Sequence, residues 1–307
     1  MDEVLRTEGL GRRFGPFQAV SDVTLSVRAG EVYGFLGLNG AGKTTTIRML
    51  LGMIRPTSGR IRLAGRDVTP GKTGLWNEVG FLVETPYAYP ELTVRENLSL
   101  VARLRLMKHP AGAVDRVIAR LDLGAYADQK VRHLSLGNAQ RLGLAKALVH
   151  SPHLLLLDEP SNGLDPAGIV EIRSLLRSLA REEGKTVFVS SHNLDEVSRF
   201  ADRIGIIHGG RLVQELTLDE VAGLTARRLE VGTEDLPRAA TLLLEAGYSP
   251  QTTGGTIRLD EPRAVDRPQD INALLVASGL VPHHLVVQEE NLEQYFLRAI
   301  GRTGGLE

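Results

Sequence analysis

Two hydrophobic periods organise the chain. Residues 21–27, Ser-Asp-Val-Thr-Leu-Ser-Val, alternate polar and apolar with period two, which predicts a half-buried antiparallel strand. Residues 5–7 and 59–64 predict further strands. Other runs, at 31–36, 79–83, 154–157 and 186–190, are almost wholly apolar and predict strands buried on both faces. Helical periods fill the gaps. Residues 45–51 open a first helix. A second starts at Leu92 and stays helical through Met107, with Thr93 and Glu96 at capping-box spacing. Pro110 opens a third through Leu121, with Val114, Val117 and Ile118 on one face. A fourth covers 136–149. Asp165-Pro166 then supplies an N-cap and a proline at the first helical position. Ile169, Ile172, Leu175, Leu176 and Leu179 continue that helix as one stripe, ended by Gly184. A short helix spans 194–200. Residues 203–208 and 211–215, joined by Gly209-Gly210, predict a hairpin.

The run of helices without a strand predicts a helical insert at about 87–150 in an α/β domain. Beyond about 217 the pattern changes to helix (218–222), strand (228–232), helix (236–246), weaker strands (249–260), helix (269–279), strand (284–288) and helix (291–300). The expected division is therefore a domain at 1–216 and a small α+β domain at 217–307.

The stretch from Gly37 to Thr45, Gly-Leu-Asn-Gly-Ala-Gly-Lys-Thr-Thr, fits G-x-x-x-x-G-K-[ST], the phosphate-binding loop. Its context is the required one, a buried strand before and a helix after. Backbone N–H groups approach a triphosphate closely only where Cβ atoms are absent, at Gly37, Gly40 and Gly42. Asn39, Ala41 and Thr45 complete the loop. The following helix N-terminus adds partial positive charge. Lys43 is placed to reach the terminal phosphates and the Thr44 hydroxyl to sit on Mg²⁺. Phe14, on a loop between strands, could stack on an adenine face or tuck into the core.

Composition narrows the class. The chain has 307 residues, a net charge of −1 and no cysteine. It offers no disulfide or thiolate chemistry and no general affinity for nucleic acid or membrane surface. No apolar run of membrane-spanning length is present, so any passage through a bilayer belongs to another chain.

Asp158-Glu159 ends a strand expected beside the phosphate-loop strand. Ligands bind beyond the carboxyl ends of such strands. There Asp158 would hold Mg²⁺, and Glu159 would orient or deprotonate an attacking water. The plainer alternative is an acidic pair capping a strand. His192 ends the next strand on the same edge, within reach of a γ-phosphate. His109, His133, His150, His153, His208, His283 and His284 lack the carboxylate or thiolate neighbours of a zinc site.

Residues 133–141, His-Leu-Ser-Leu-Gly-Asn-Ala-Gln-Arg, open a helix before the leucine-rich strand. They resemble the signature motif of ATP-binding-cassette (ABC) proteins, L-S-G-G-Q followed by x-Q-R, at Leu134, Ser135, Gly137, Gln140 and Arg141. Residues 161–165, Ser-Asn-Gly-Leu-Asp, are similar to the family's D-loop, and Ser191-His192 to its H-loop. The motifs occur in the family's order over about 5–215. The resemblance implies a P-loop NTPase (ABC ATPase) core with an antiparallel β subdomain and a helical subdomain, followed here by the small α+β domain. It implies MgATP hydrolysis by a head-to-tail homodimer, with each ATP between one subunit's phosphate loop and the other's Ser135 and Gly137. Asp165 joins the nucleotide-binding set, Phe14 becomes the adenine-stacking aromatic, and 87–150 becomes the helical subdomain.

Three departures from the family pattern matter, the least of them Leu38 in the phosphate loop. Val83-Glu84-Thr85 falls where the family has its glutamine loop. Glu84 replaces the glutamine and could ligate Mg²⁺ or contact a permease. Leu136 and Asn138 replace glycine and glutamine in the signature, and Leu136 is similar to the bacterial drug and antibiotic exporter branch. The expected role is an ATPase subunit in the cytoplasm, peripheral at the inner face of the membrane, driving a separate transmembrane permease. Alternatives are a soluble ABC ATPase acting on ribosomes or DNA, and an importer subunit whose C-terminal module is regulatory rather than a buttress of the dimer.

Overall fold

The computed structural model of the protein describes residues 3–69, 71, 73–84, 87–224, 227–290 and 292–299. Thr85, Pro86 and Ile300, which entered the sequence reading, lie outside the described residues. The chain divides into two compact units, Met1–Leu218 and Asp219–Glu307.

The first unit opens on a long hairpin, β1 (Glu3–Phe14) and β2 (Phe17–Arg28). Phe14 ends the first strand instead of lying on a longer loop, because only Gly15 and Pro16 are needed to turn, with Gly15 at φ +55°. β3 (Val32–Leu36) is buried at every position and leads through the glycine loop into α1 (Lys43–Leu50). β4 (Ser58–Leu63) pairs with β1, and β5 (Arg66–Asp67) pairs with β4. Then come β6 (Val79–Leu82), α2 (Val94–Leu104), α3 (Pro110–Arg120) and α4 (Leu136–Leu148). β7 (Leu154–Asp158), α5 (Pro166–Arg181), β8 (Thr186–Ser191), α6 (Leu194–Ser198), β9 (Arg203–His208) and β10 (Arg211–Thr217) complete this unit.

The helix starts follow local chemistry. The Thr93 hydroxyl accepts from the Glu96 N–H at 3.1 Å while the Glu96 carboxylate accepts from the Thr93 N–H at 2.7 Å, a complete capping box. Asp165 accepts from the Gly168 N–H at 3.0 Å, with Pro166 next. α2 stops at Leu104, three residues before Met107, with Leu106 in a left-handed conformation at φ +54°.

Two sheets share one core. The antiparallel sheet has the order β2-β1-β4-β5, and the larger sheet the order β10-β9-β3-β8-β7-β6. Ile47, Met49 and Leu50 of α1 are fully buried among Leu5, Val20 and Val23 of the first sheet and Leu156 and Phe188 of the second. Burying each such side chain stabilises the fold by about 1.5–3 kcal/mol. Tyr33 stacks on Phe188 at 5.5 Å between ring centroids, locking β3 to β8.

That strand order corrects one expectation. β7 does not lie beside β3, because β8 runs between them, parallel to both. All three strands are continuously apolar, so hydrophobicity cannot rank them across the sheet. The carboxyl ends of β3, β6, β7 and β8 nevertheless share one edge.

The second unit begins within α7 (Leu218–Leu224) and contains β11 (Arg227–Gly232), α8 (Leu236–Glu245), β12 (Gln251–Thr253), β13 (Thr256–Leu259), α9 (Pro262–Asp266), α10 (Pro268–Ala277), β14 (His284–Glu289) and α11 (Leu292–Ala299). Its antiparallel sheet has the order β12-β13-β11-β14. Leu229, Val231, Ile257 and Leu259 from alternate sheet positions pack with Leu243 and Leu275 of α8 and α10.

Candidate nucleotide-binding site

The loop between β3 and α1 is shaped by its glycines. Gly42 has φ +107°, and a Cβ there would stand 2.7 Å from the Ala19 carbonyl oxygen. Gly40 has φ +80° but faces open space, so its requirement is conformational. Beside this loop lies a cleft of about 300 Å³, lined by Phe17, Ala19, Asn39 to Thr45 and Glu159. α1 begins at Lys43, so its first N–H groups and its dipole serve the same space.

Three strand ends, those of β3, β7 and β8, bring the polar groups together. Lys43 is 6% exposed, and its Nζ donates to the carbonyls of Gly37 at 2.6 Å and Leu38 at 3.3 Å. The same Nζ is 3.3 Å from Glu159 Oε1. Thr44 Oγ1 donates to Asp158 Oδ2 at 2.6 Å, and Ser190 Oγ donates to Asp158 Oδ1 at 2.5 Å. Asp158 is 3% exposed, so both its oxygens are oriented before any ligand arrives. Glu159 Oε2 lies 2.8 Å from His192 Nδ1 and accepts from the His192 N–H at 3.3 Å. The Glu159 backbone is left-handed at φ +50°, a strained state for a non-glycine residue and one concentrated at functional sites. The donor set around Thr44 and Asp158 is all hard oxygen, which suits Mg²⁺.

Other residues singled out in the sequence lie apart from this cluster. The Glu84 carboxylate forms an ion pair with Arg48 on α1 and lines no part of the cleft. Ser135 caps α4, its Oγ accepting from the Asn138 N–H at 3.2 Å, with Gly137 in the same turn. Asp165 caps α5. Phe14 pairs with Phe17 across the hairpin end, and the Arg12 guanidinium covers the Phe14 ring at 4.4 Å from its centroid. Phe17 lines the cleft and Phe14 does not. Phe17, Arg48 and Ser190 go unmarked in the sequence, and Gln140 is marked only as part of the signature resemblance. Of the first three, Phe17 alone has a local signal, as the second aromatic of the same turn.

A second depression, of about 700 Å³, has an apolar lining that includes Trp76, Phe81, Val83, Val101 and Leu104. Arg105 and Lys146 contribute its charges. Burial lowers the pKa of both, and Arg105 Nη1 is buried without a hydrogen-bond partner. Leu104, Leu106 and Tyr87, all strongly exposed, also line it.

A glycine loop before a helix, a lysine and threonine at its start, and a strand-end Asp-Glu pair across the same edge define the nucleoside-triphosphatase class. Comparison with known proteins gives the family. The ABC transporter family pattern matches residues 20–162. The chain is 39% identical over 305 residues to the bacitracin transport ATP-binding protein BcrA of Bacillus licheniformis, covering 98% of each chain. It is 33% identical to the daunorubicin resistance ATP-binding protein DrrA3 of Streptomyces coeruleorubidus, covering 98% of this chain and 96% of the relative. It is 35% identical to the lantibiotic transport ATP-binding protein SrtF of Streptococcus pyogenes, over 70% of this chain and 92% of the relative. Among solved structures, the dimeric post-hydrolysis state of the ATP-binding cassette MJ0796 bound to ADP and Pi aligns with TM-score 0.65 and 25% identity. The alignment covers 70% of this chain and 98% of that one.

The chain belongs to the ATP-binding-cassette family. It is an ATP-binding and ATP-hydrolysing transporter subunit, in the branch of drug and antibiotic exporters. Such cassettes are dimeric and pair with a permease. Among the described residues no helix is long and apolar enough to cross a membrane.

Proposed function

We propose that this chain hydrolyses MgATP as a head-to-tail homodimer and drives a separate permease that exports a drug, antibiotic or other hydrophobic compound. The observation that carries the export reading is the match, over nearly the whole of both chains, to a bacitracin transport ATP-binding protein. In this reading residues 1–216 are the ATP-binding domain, with 87–150 its helical subdomain. Residues 217–307 are an accessory domain buttressing the dimer. The protein works in the cytoplasm, at the inner face of the membrane, through its permease.

The residue roles follow from the geometry. Lys43 now donates to two loop carbonyls, and a triphosphate entering the cleft takes over that ammonium group. The N–H groups of Gly40 to Thr45 hold the phosphates. Phe17, at the mouth, supports the base with or in place of Phe14. Thr44 and Asp158 hold Mg²⁺, which when bound neutralises charge on the β- and γ-phosphates. Glu159 accepts the attacking water's proton or fixes its orientation. His192, tied to Glu159 through Nδ1, steadies that carboxylate and presents its other edge to the γ-phosphate. Ser135, Gly137 and Asp165 complete the partner's site across the dimer.

The apolar groove is assigned to the permease. A segment with an apolar face and one carboxylate matches its lining and the unpartnered Arg105 Nη1. Val83, on the groove wall, precedes Glu84, whose carboxylate is paired with Arg48 of α1. Load at the groove thereby reaches the helix that starts at Lys43.

Gentle solubilisation of membranes from cells carrying the tagged chain tests this reading. A polytopic membrane protein recovered in matching amount is the expected result. Ribosomal or DNA-associated partners with no membrane protein would contradict it.

A further inference from the structure

We propose that Gln140 and Leu136, on the first turns of α4, are positioning residues that hold the loop from Glu159 to Asp165 and so aim the Glu159 carboxylate. The proposal rests on Glu159 acting on the attacking water. Gln140 is 4% exposed, and its Nε2 donates to the carbonyls of Glu159 at 3.2 Å and Pro160 at 3.0 Å. A side-chain amide has two N–H donors, and here two consecutive carbonyls take them. Four residues earlier, on the same helix face, Leu136 lies over Gly163. A Cβ at Gly163, where φ is +79°, would stand 2.5 Å from Leu136 Cδ2. The helix therefore grips the loop at both ends, by hydrogen bonds at Glu159 and Pro160 and by apolar contact at Gly163.

The grip matters because Glu159 is strained. A left-handed glutamate persists only where its surroundings fix it. Its N–H donates to the Ser190 carbonyl and hydroxyl, both at 3.2 Å. Its carbonyl accepts from Gln140 at 3.2 Å and from the Asn162 N–H at 3.1 Å. Loss of Gln140 lets the Glu159 peptide rotate and carries the carboxylate away from Lys43 and His192. The same turn of α4 is capped by Ser135. A shift of this turn when Ser135 meets a second subunit's phosphate is therefore transmitted to Glu159. Leu136, a departure from the signature's usual glycine, adds a side chain to that contact.

The test is steady-state ATPase kinetics of the full-length chain with its permease. Gln140→Leu removes the donors and leaves the size similar. It should lower kcat by about tenfold, the scale of one lost hydrogen bond to the group that fixes the base, with KM for ATP changed less than about twofold. Gln140→Glu offers a donor only when protonated, so its kcat relative to wild type should rise as pH falls. Leu136→Ala removes the apolar end of the grip, so it should lower kcat by less than Gln140→Leu, again with KM for ATP changed less than about twofold. This last variant carries the test if Gln140→Leu does not fold. Wild-type kcat in a folded Gln140→Leu, a pH-independent ratio for Gln140→Glu, or wild-type kcat in Leu136→Ala would each overturn the proposal. Glu159→Gln is run alongside. If it is inactive while Gln140→Leu is normal, the positioning role alone fails. If Glu159→Gln itself hydrolyses ATP normally, the base assignment fails and the positioning role with it.

Discussion

Buried charge is arranged differently in the two units. In the first, Lys43 and Asp158 are 6% and 3% exposed, and their partners come from other elements meeting at one sheet edge. In the second, Glu230 is 7% exposed and is paired within its own sheet, 3.6 Å from Arg228 and 3.2 Å from Arg258. The first arrangement is open on one side: Lys43 borders a cleft and holds backbone carbonyls that a ligand can replace. The second ties neighbouring strands together. Charge that borders an open cleft can be exchanged with a ligand, whereas charge paired within a sheet is already satisfied.

The comparison is broken most severely at Lys43. Lys43→Ala removes the buried ammonium group from the loop, and ATP turnover should fall by about 10²–10³-fold or more, the scale of a lost charge-stabilising donor. Phosphate release assayed at saturating ATP reads the effect. Turnover within a few-fold of wild type would mean that the cleft is not the working site.

A smaller change sharpens the contrast from the other side. Leu243 is fully buried in the core of the second unit. Leu243→Ala should destabilise that unit by about 2–5 kcal/mol. Denaturant unfolding should show the loss, while ATP affinity stays within about twofold of wild type, as expected for sites that share no partners. Equal losses of stability and ATP binding would show that the two units act as one.

What was legible in the sequence was local. The Thr93-Glu96 capping box, the Asp165-Pro166 helix start and the strand–loop–helix around Lys43 each depend on residues close in the chain, and each has the expected geometry. What was not legible depended on pairing at a distance. Nothing in Leu154-Leu155-Leu156-Leu157 says that β8 separates it from β3, since every central strand is apolar. Ser190 gained its place beside Asp158 only through that register. Gln140 belongs to the signature resemblance, but nothing near it in the chain says that the Glu159 carbonyl accepts from its amide. Glu84 could be placed next to the motif order but not next to Arg48, 36 positions away. Alternation marks strands only at 5–7 and 21–27, which leaves Phe14 on a loop between them, whereas the strands extend to a two-residue turn that sets Phe17 beside the cleft.

In the proposed mechanism Glu159 acts on the water while Lys43, Thr44 and Asp158 bind MgATP. Measuring ATP binding and hydrolysis together in Glu159→Gln tests it most directly. The substitution keeps the size of the side chain and removes the base. ATP should bind with near wild-type affinity and turnover should fall by about 10²–10⁴-fold, the range for loss of a general base. Hydrolysis at the normal rate with ATP bound would contradict it.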